Sequence, residues 1–147
     1  MIVYLDTSAF VPLFVTEPST QLCQDLWNTA DDVFSVRLLR VETAAALAQA
    51  QRLGRISETD LTRSLATMNE QLEQVRVIEL DDTLAKAAAN AARDHALRGY
   101  DAVHCAAAAT LPVDDLVAAS GDRVLLNAWQ AIGLATADTS FPLRSIG

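Results

Sequence analysis

Residues 1–10 read MIVYLDTSAF. The apolar run IVYL at 2–5 is too short for a helix and rich in residues that favour strands, and it ends abruptly on Asp6, Thr7 and Ser8. A strand apolar on both faces belongs inside a sheet covered on both sides, which is the usual condition of a parallel sheet. Similar runs recur: VFSV at 33–36, VRVIEL at 75–80, DLVAAS at 115–120 and a weaker GLAT at 133–136. Helical stretches alternate with them. They run from Pro18 to Ala30, from Arg37 to Leu53 with Gly54 as a stop, and onward from Ser57, whose Ser-x-x-Asp start resembles a capping box. Asp82 to Ala96 and Tyr100 to Leu111 follow, set apart by Gly99 and closed by Pro112, and a last helix runs from Asp122 to Ile132 before Gly133. Strand then helix, repeated, predicts an α/β domain of three layers, with about five parallel strands flanked by helices, spanning 1–147 as one unit.

Composition narrows the function. The net charge of −8 argues against a general nucleic-acid binder, which usually neutralises phosphates with excess Lys and Arg. Four clustered carboxylates in one metal site would account for half of that charge. No apolar stretch reaches the length needed to cross a bilayer, and no basic segment precedes the first apolar run, so a cytoplasmic protein without membrane contact is expected. Cys23 and Cys105 make neither a disulfide framework nor a ligand set and read as buried thiols.

In open α/β sheets the ligand crevice lies beyond the carboxyl ends of the strands. Asp6 sits at that end of the first strand, and Asp122 follows the fourth through Ser120 and Gly121, so both belong to one rim. Glu42 shares a helical stripe with Leu39, Ala46, Ala50 and Leu53 and therefore points inward. Asp101 opens a helix whose next turns carry only Val, His, Cys and Ala, so it too faces protein. Each acid also has a plainer reading. Asp6, Asp101 and Asp122 stand at helix starts, where a carboxylate caps free N–H groups, and an inward Glu42 would pair with an arginine.

Taken together, the four acids need neutralising. Two like charges about 4 Å apart repel by about 4 kcal/mol at an effective dielectric of about 20. Protonation or a hard divalent cation relieves this, and all-oxygen donors favour Mg²⁺ or Mn²⁺ over zinc. His95 and His104 lack zinc spacing with the cysteines and read as helix packing residues, with an orienting role for His104 as the lesser option. A carboxylate-held divalent ion supports phosphodiester hydrolysis by activating water and stabilising charge on the leaving oxygen, with no protein nucleophile. Other Mg²⁺ chemistries fit less well: residue 8 is Ser8 rather than the second acid of an aspartyl phosphatase, and Lys86 is the one lysine a receiver domain could use. There is no Walker loop and no GxSxG elbow.

MIVYLDTSAF, the inward Glu42 in RVETAAAL, LRGYDAVHCAAA around Asp101 and SGDRVLLNAWQAIGL around Asp122 together resemble a PIN domain of the VapC type, in order and over nearly the whole chain. The resemblance implies a ribonuclease toxin of a type II toxin–antitoxin system that needs Mg²⁺ or Mn²⁺, acts on RNA, is often a homodimer, and is inhibited by a small VapB-like antitoxin. It carries the acidic cluster to Asp6, Glu42, Asp101 and Asp122, with Ser8 in support. Asp6 and Asp101 would hold the main ion, and Glu42 and Asp122 would complete the set. Ser120-Gly121 departs from the threonine and polar residue often found before the last acid. Arg37, Arg40, Arg98 and Arg123 each lie within five residues of a site acid, which reads either as a local basic rim for RNA that would answer the negative charge or, equally, as solvated surface arginines. AFVPLFV at 9–15 reads as a core helix, or else as a groove for an antitoxin segment or a dimer face. Two other functions remain: a non-cleaving RNA- or protein-binding module on the same fold, and a DNA-directed nuclease with the same site.

Overall fold

The computed structural model describes residues 1–140 of the chain, so the expected single unit extends at 141–147 outside the described residues. Five strands, β1 (Ile2–Leu5), β2 (Asp32–Val36), β3 (Val75–Ile78), β4 (Leu116–Ser120) and β5 (Ala135–Asp138), form one sheet in the order β3-β2-β1-β4-β5. Every neighbouring pair is parallel. Seven helices cover it: α1 (Thr7–Phe10), α2 (Thr20–Thr29), α3 (Leu39–Arg52), α4 (Glu58–Leu72), α5 (Asp82–His95), α6 (Gly99–Ala109) and α7 (Arg123–Ala131).

The period-two alternation of β1 divides the core. Val3 and Leu5 pack with Phe10, Leu39, Leu47 and Met68 on the α1–α4 side, while Tyr4 packs with Leu84, Ala106, Leu125 and Trp129 on the α5–α7 side. Burying one such leucine fully contributes about 1.5–3 kcal/mol, so these two apolar layers carry most of the fold's stability. Ala102, Ala106, Ala107 and Ala108 are all buried along α6, and their small side chains let this helix lie close to its neighbours.

Several local features differ from the sequence reading. Pro12 turns 9–15 into the end of α1 followed by a 3-10 turn, Val11–Leu13, rather than one helix. Ala9, Phe10, Pro12 and Val15 are buried, so the stretch is core. Leu53 lies just past the end of α3 and is 66% exposed, which breaks the stripe it was assigned to. Gly99 begins α6 rather than separating it from α5, and the break is made by Ala96, whose φ of 53° is left-handed. No helix among the described residues is long and apolar enough to cross a membrane.

The chain leaves β1 toward β2 and β3 on one side and returns to β4 and β5 on the other. The sheet's switch point is therefore the gap between β1 and β4, and at their carboxyl ends stand Asp6 and Ser120.

Candidate active site

The parallel register pairs Leu5 with Ala119, and the Asp6 N–H donates to the Ala119 carbonyl at 3.2 Å, so Asp6 and Ser120 meet one step further on. Asp6 caps α1. Its Oδ1 accepts from the Ala9 N–H at 3.1 Å and the Ser8 hydroxyl at 2.7 Å, and its Oδ2 accepts from the Ser120 hydroxyl at 2.6 Å. The two serines in turn accept backbone N–H bonds, Ser8 from Gly121 at 2.7 Å and Ser120 from Asp122 at 2.9 Å. Each hydroxyl has given its one proton to Asp6, so the 3.4 Å approach of Ser8 Oγ to Ser120 Oγ is proximity rather than a bond. Asp6 is only 5% exposed. Burial pushes its carboxyl above the ordinary 3.8, against the nearby His104 imidazole and then the Ser120, Ser8 and Ala9 hydrogen bonds. Gly121 lies close to both neighbours: a Cβ there would stand 3.3 Å from Thr139 Oγ1, a tight contact, and 3.4 Å from Ser8 Oγ, an ordinary one.

Asp122 caps α7, its Oδ1 accepting from Val124 N–H at 2.8 Å and Leu125 N–H at 3.1 Å. Asp101 lies in the first turn of α6 without capping it, and its side chain is 18% exposed. Arg98 bridges the two: its Nε donates to Asp101 Oδ2 at 3.1 Å and its Nη2 reaches Asp122 Oδ2 at 3.5 Å. Glu42 points inward as its helical position predicts, with a side chain 19% exposed, but its partner is a histidine rather than an arginine. His104 Nε2 lies 2.7 Å from Glu42 Oε1, and His104 Nδ1 lies 2.8 Å from the Tyr4 hydroxyl.

The expected basic rim is not assembled. Arg37 pairs with Glu79, Arg40 donates to Asn69 Oδ1 at 2.7 Å, and Arg123 pairs with Asp138, which leaves Arg98 as the one of the four that touches the acids. Proximity in sequence did not translate into proximity to the site, because acids outside the cluster pair with Arg37 and Arg123 and an asparagine holds Arg40. Three residues that belong to this constellation carried little signal. Ser120 could have been noticed two residues before an acid at a strand's end, His104 had an orienting role only as the lesser reading, and Tyr4 looks like an ordinary core aromatic in sequence.

The donor chemistry suits a hard divalent cation. All candidate ligands are carboxylate oxygens, three of the four lone-pair positions on Asp6 are taken by the bonds above, and one on Oδ2 is left. The Arg98 guanidinium marks where positive charge is favoured between Asp101 and Asp122. Among the described residues no three Asp, Glu, His or Cys side chains already converge on one point as a closed set of ligands. The acids stand instead as two pairs, Asp101 and Asp122 across Arg98, and Asp6 and Glu42 around Tyr4 and His104.

Residues 3–128 match the family model for the PIN domain. Ribonuclease VapC45 of Mycobacterium tuberculosis is 39% identical over 136 residues, covering 92% of this chain and 94% of that protein. Among solved structures, M. tuberculosis VapC20, described as a Sarcin-Ricin loop cleaving toxin, superposes with a TM-score of 0.64 at 18% identity over 90% of this chain and 96% of that one. A toxin–antitoxin complex from Klebsiella pneumoniae gives 0.64 at 13% identity, over 93% and 97% of the two chains. The structural likenesses establish the fold, and the sequence match, with its aspartate at the end of the first strand, makes this chain a member of the PIN-domain family within its VapC group.

Proposed function

We propose that this protein is an endoribonuclease toxin that hydrolyses phosphodiester bonds in RNA with Mg²⁺ or Mn²⁺ and is held inactive by a small cognate antitoxin. The observation that carries the reading is the hydrogen-bonded Asp6 carboxylate at the switch point of the sheet, with Glu42 held by His104 and Asp101 and Asp122 bridged by Arg98. Its relatives in the VapC group carry the name ribonuclease.

Asp6, Asp101, Glu42 and Asp122 would hold the cation, which when bound supplies activation of water and neutralisation of phosphate charge. The protein's part is positional. Ser8 and Ser120 favour the ionised form of Asp6 against its burial and fix its rotamer, and their N–H bonds from Gly121 and Asp122 tie the loop after β4 to the end of β1. Arg98 offers a guanidinium beside Asp101 and Asp122, a basic group placed to meet a backbone phosphate at the acids. Beside Glu42 runs an apolar groove lined by Leu38, Val41, Ala45 and Tyr100, with Val41 67% and Tyr100 65% exposed. We assign it to the antitoxin, whose binding there would cover the acids, as a partner of the kind present in the Klebsiella complex. A homodimer is part of the same proposal and is read by light scattering.

The test is cleavage of structured RNA, single-stranded RNA and DNA by the purified protein with Mg²⁺, Mn²⁺ or EDTA, beside Asp101→Asn. RNA cutting that needs the metal and disappears in the variant is expected. Cutting that survives EDTA, or is undiminished in a folded Asp101→Asn protein, would overturn the assignment.

A further inference from the structure

Tyr4 is fully buried and His104 is 1% exposed, two polar aromatic side chains inside an otherwise apolar layer. Burying such groups is unfavourable unless they are hydrogen-bonded, and packing alone would be served by Phe and Leu. Here both nitrogens of the imidazole are used, and they are used in series. Tyr4 on β1 meets Nδ1 at 2.8 Å, and Nε2 reaches Glu42 Oε1 on α3 at 2.7 Å. The contact crosses from the α5–α7 layer to the α1–α4 layer over the carboxyl edge of the sheet, joining elements up to 100 residues apart in sequence.

The chemistry of the partners sets the direction of the chain. An ionised Glu42 only accepts, so Nε2 must carry a proton. A tyrosine carries its proton at neutral pH, so the Tyr4 O–H is available to Nδ1. The run is therefore Tyr4 O–H to Nδ1, then Nε2–H to Glu42, with one tautomer satisfying every group. The ring is also wedged edge-to-face against Tyr4, whose other flank meets Trp129 in the same geometry. Glu42 is left with Oε2 unbonded among the described residues, directed by the bond on Oε1.

We infer that His104, anchored from behind by Tyr4, is a positioning residue that holds the Glu42 carboxylate in place for cation binding. This rests on the metal-dependent reading above. Outer partners of metal-binding carboxylates typically matter by 10–100-fold in affinity when removed.

The experiment is Mn²⁺ titration by calorimetry of the full chain, without RNA, for wild type, His104→Leu and His104→Gln. Circular dichroism confirms the fold of each. Wild type binds; His104→Leu is expected to bind about 10–100-fold more weakly. His104→Gln, whose amide can still donate to Glu42, should recover most of the loss, which a merely structural role would not predict. Wild-type binding matched within about twofold by a folded His104→Leu protein would overturn the positioning role alone, whereas a wild type that binds no Mn²⁺ would overturn the metal reading and this role with it. Nitrogen-15 NMR of the wild-type histidines needs no variant to fold: a protonated Nε2 on His104 is expected, and a bare Nε2 would overturn the proposal.

Discussion

Ser120→Ala tests whether the site is held as the hydrogen bonds suggest. The Ser120 hydroxyl, with no exposed surface, donates to Asp6 Oδ2 at 2.6 Å and accepts the Asp122 N–H at 2.9 Å. A hydrogen bond to a charged group contributes about 1.5–3 kcal/mol, and an N–H left unpaired at a half-buried position costs about 1 kcal/mol more. The expected loss at pH 7 is thus about 3 kcal/mol, or a fall in Tm of about 10 °C for a chain of this size. The pH dependence has a definite sign. The folded Asp6 carboxyl titrates above 3.8, so the stability lent by its protonated form is fully present below 3.8 and is lost as pH rises through the raised value. Removing the Ser120 bond, which favours the ionised form, raises that value further. The variant's extra loss should therefore shrink between pH 7 and pH 4 as the folded Asp6 takes up its proton. Urea unfolding of both proteins in metal-free buffer at the two pH values measures it. An unchanged midpoint at pH 7, or a loss that acid leaves undiminished, would refute the view that Ser120 holds an ionised Asp6.

Asp6→Asn should leave the metal-free protein at least as resistant to urea as wild type, since a neutral amide removes a buried charge, while abolishing cleavage; a marked loss of stability would contradict the unfavourable burial argued for Asp6. Arg98→Ala should change stability by less than about 1 kcal/mol, because the guanidinium is 82% exposed, and should bind Mn²⁺ no more weakly than wild type in calorimetry. Gly121→Ala brings a methyl group against Ser8 and Thr139 and should lower stability by about 1 kcal/mol or less and reduce cleavage, read by thermal melting and RNA assay. The Cys23 and Cys105 thiols are both pushed up to about 11 by burial, so iodoacetamide at pH 8 should leave the native protein unmodified and label both in urea.

Much of the fold is written locally. The continuous apolar run of β1, the shorter apolar runs of the other strands, a capping box at Ser57 and Asp60, and Asp81 capping α5 at Leu84 are properties of a few adjacent residues, so each is readable without knowing what packs against it. The same holds for part of the site. Asp6 had to stand at the end of β1, Asp122 at the start of α7, and Glu42 on the inner face of α3, because chain geometry alone sets those positions.

What sequence could not decide is which side chains meet across large separations. The strand order places β1 beside β4, and only that adjacency brings Ser8 and Ser120, 112 residues apart, to the same carboxylate. The tertiary fold brings Glu42 on α3 to a histidine 62 residues away on α6, and turns a residue that reads mainly as core packing into a hydrogen-bonding partner. The arginines show the converse, since Arg37 and Arg123 lie near site acids in sequence yet pair with Glu79 and Asp138 on neighbouring strand ends. Secondary structure and the direction of a side chain follow from short-range sterics and periodicity, while the partner of a buried polar group is chosen by the packing of whole layers.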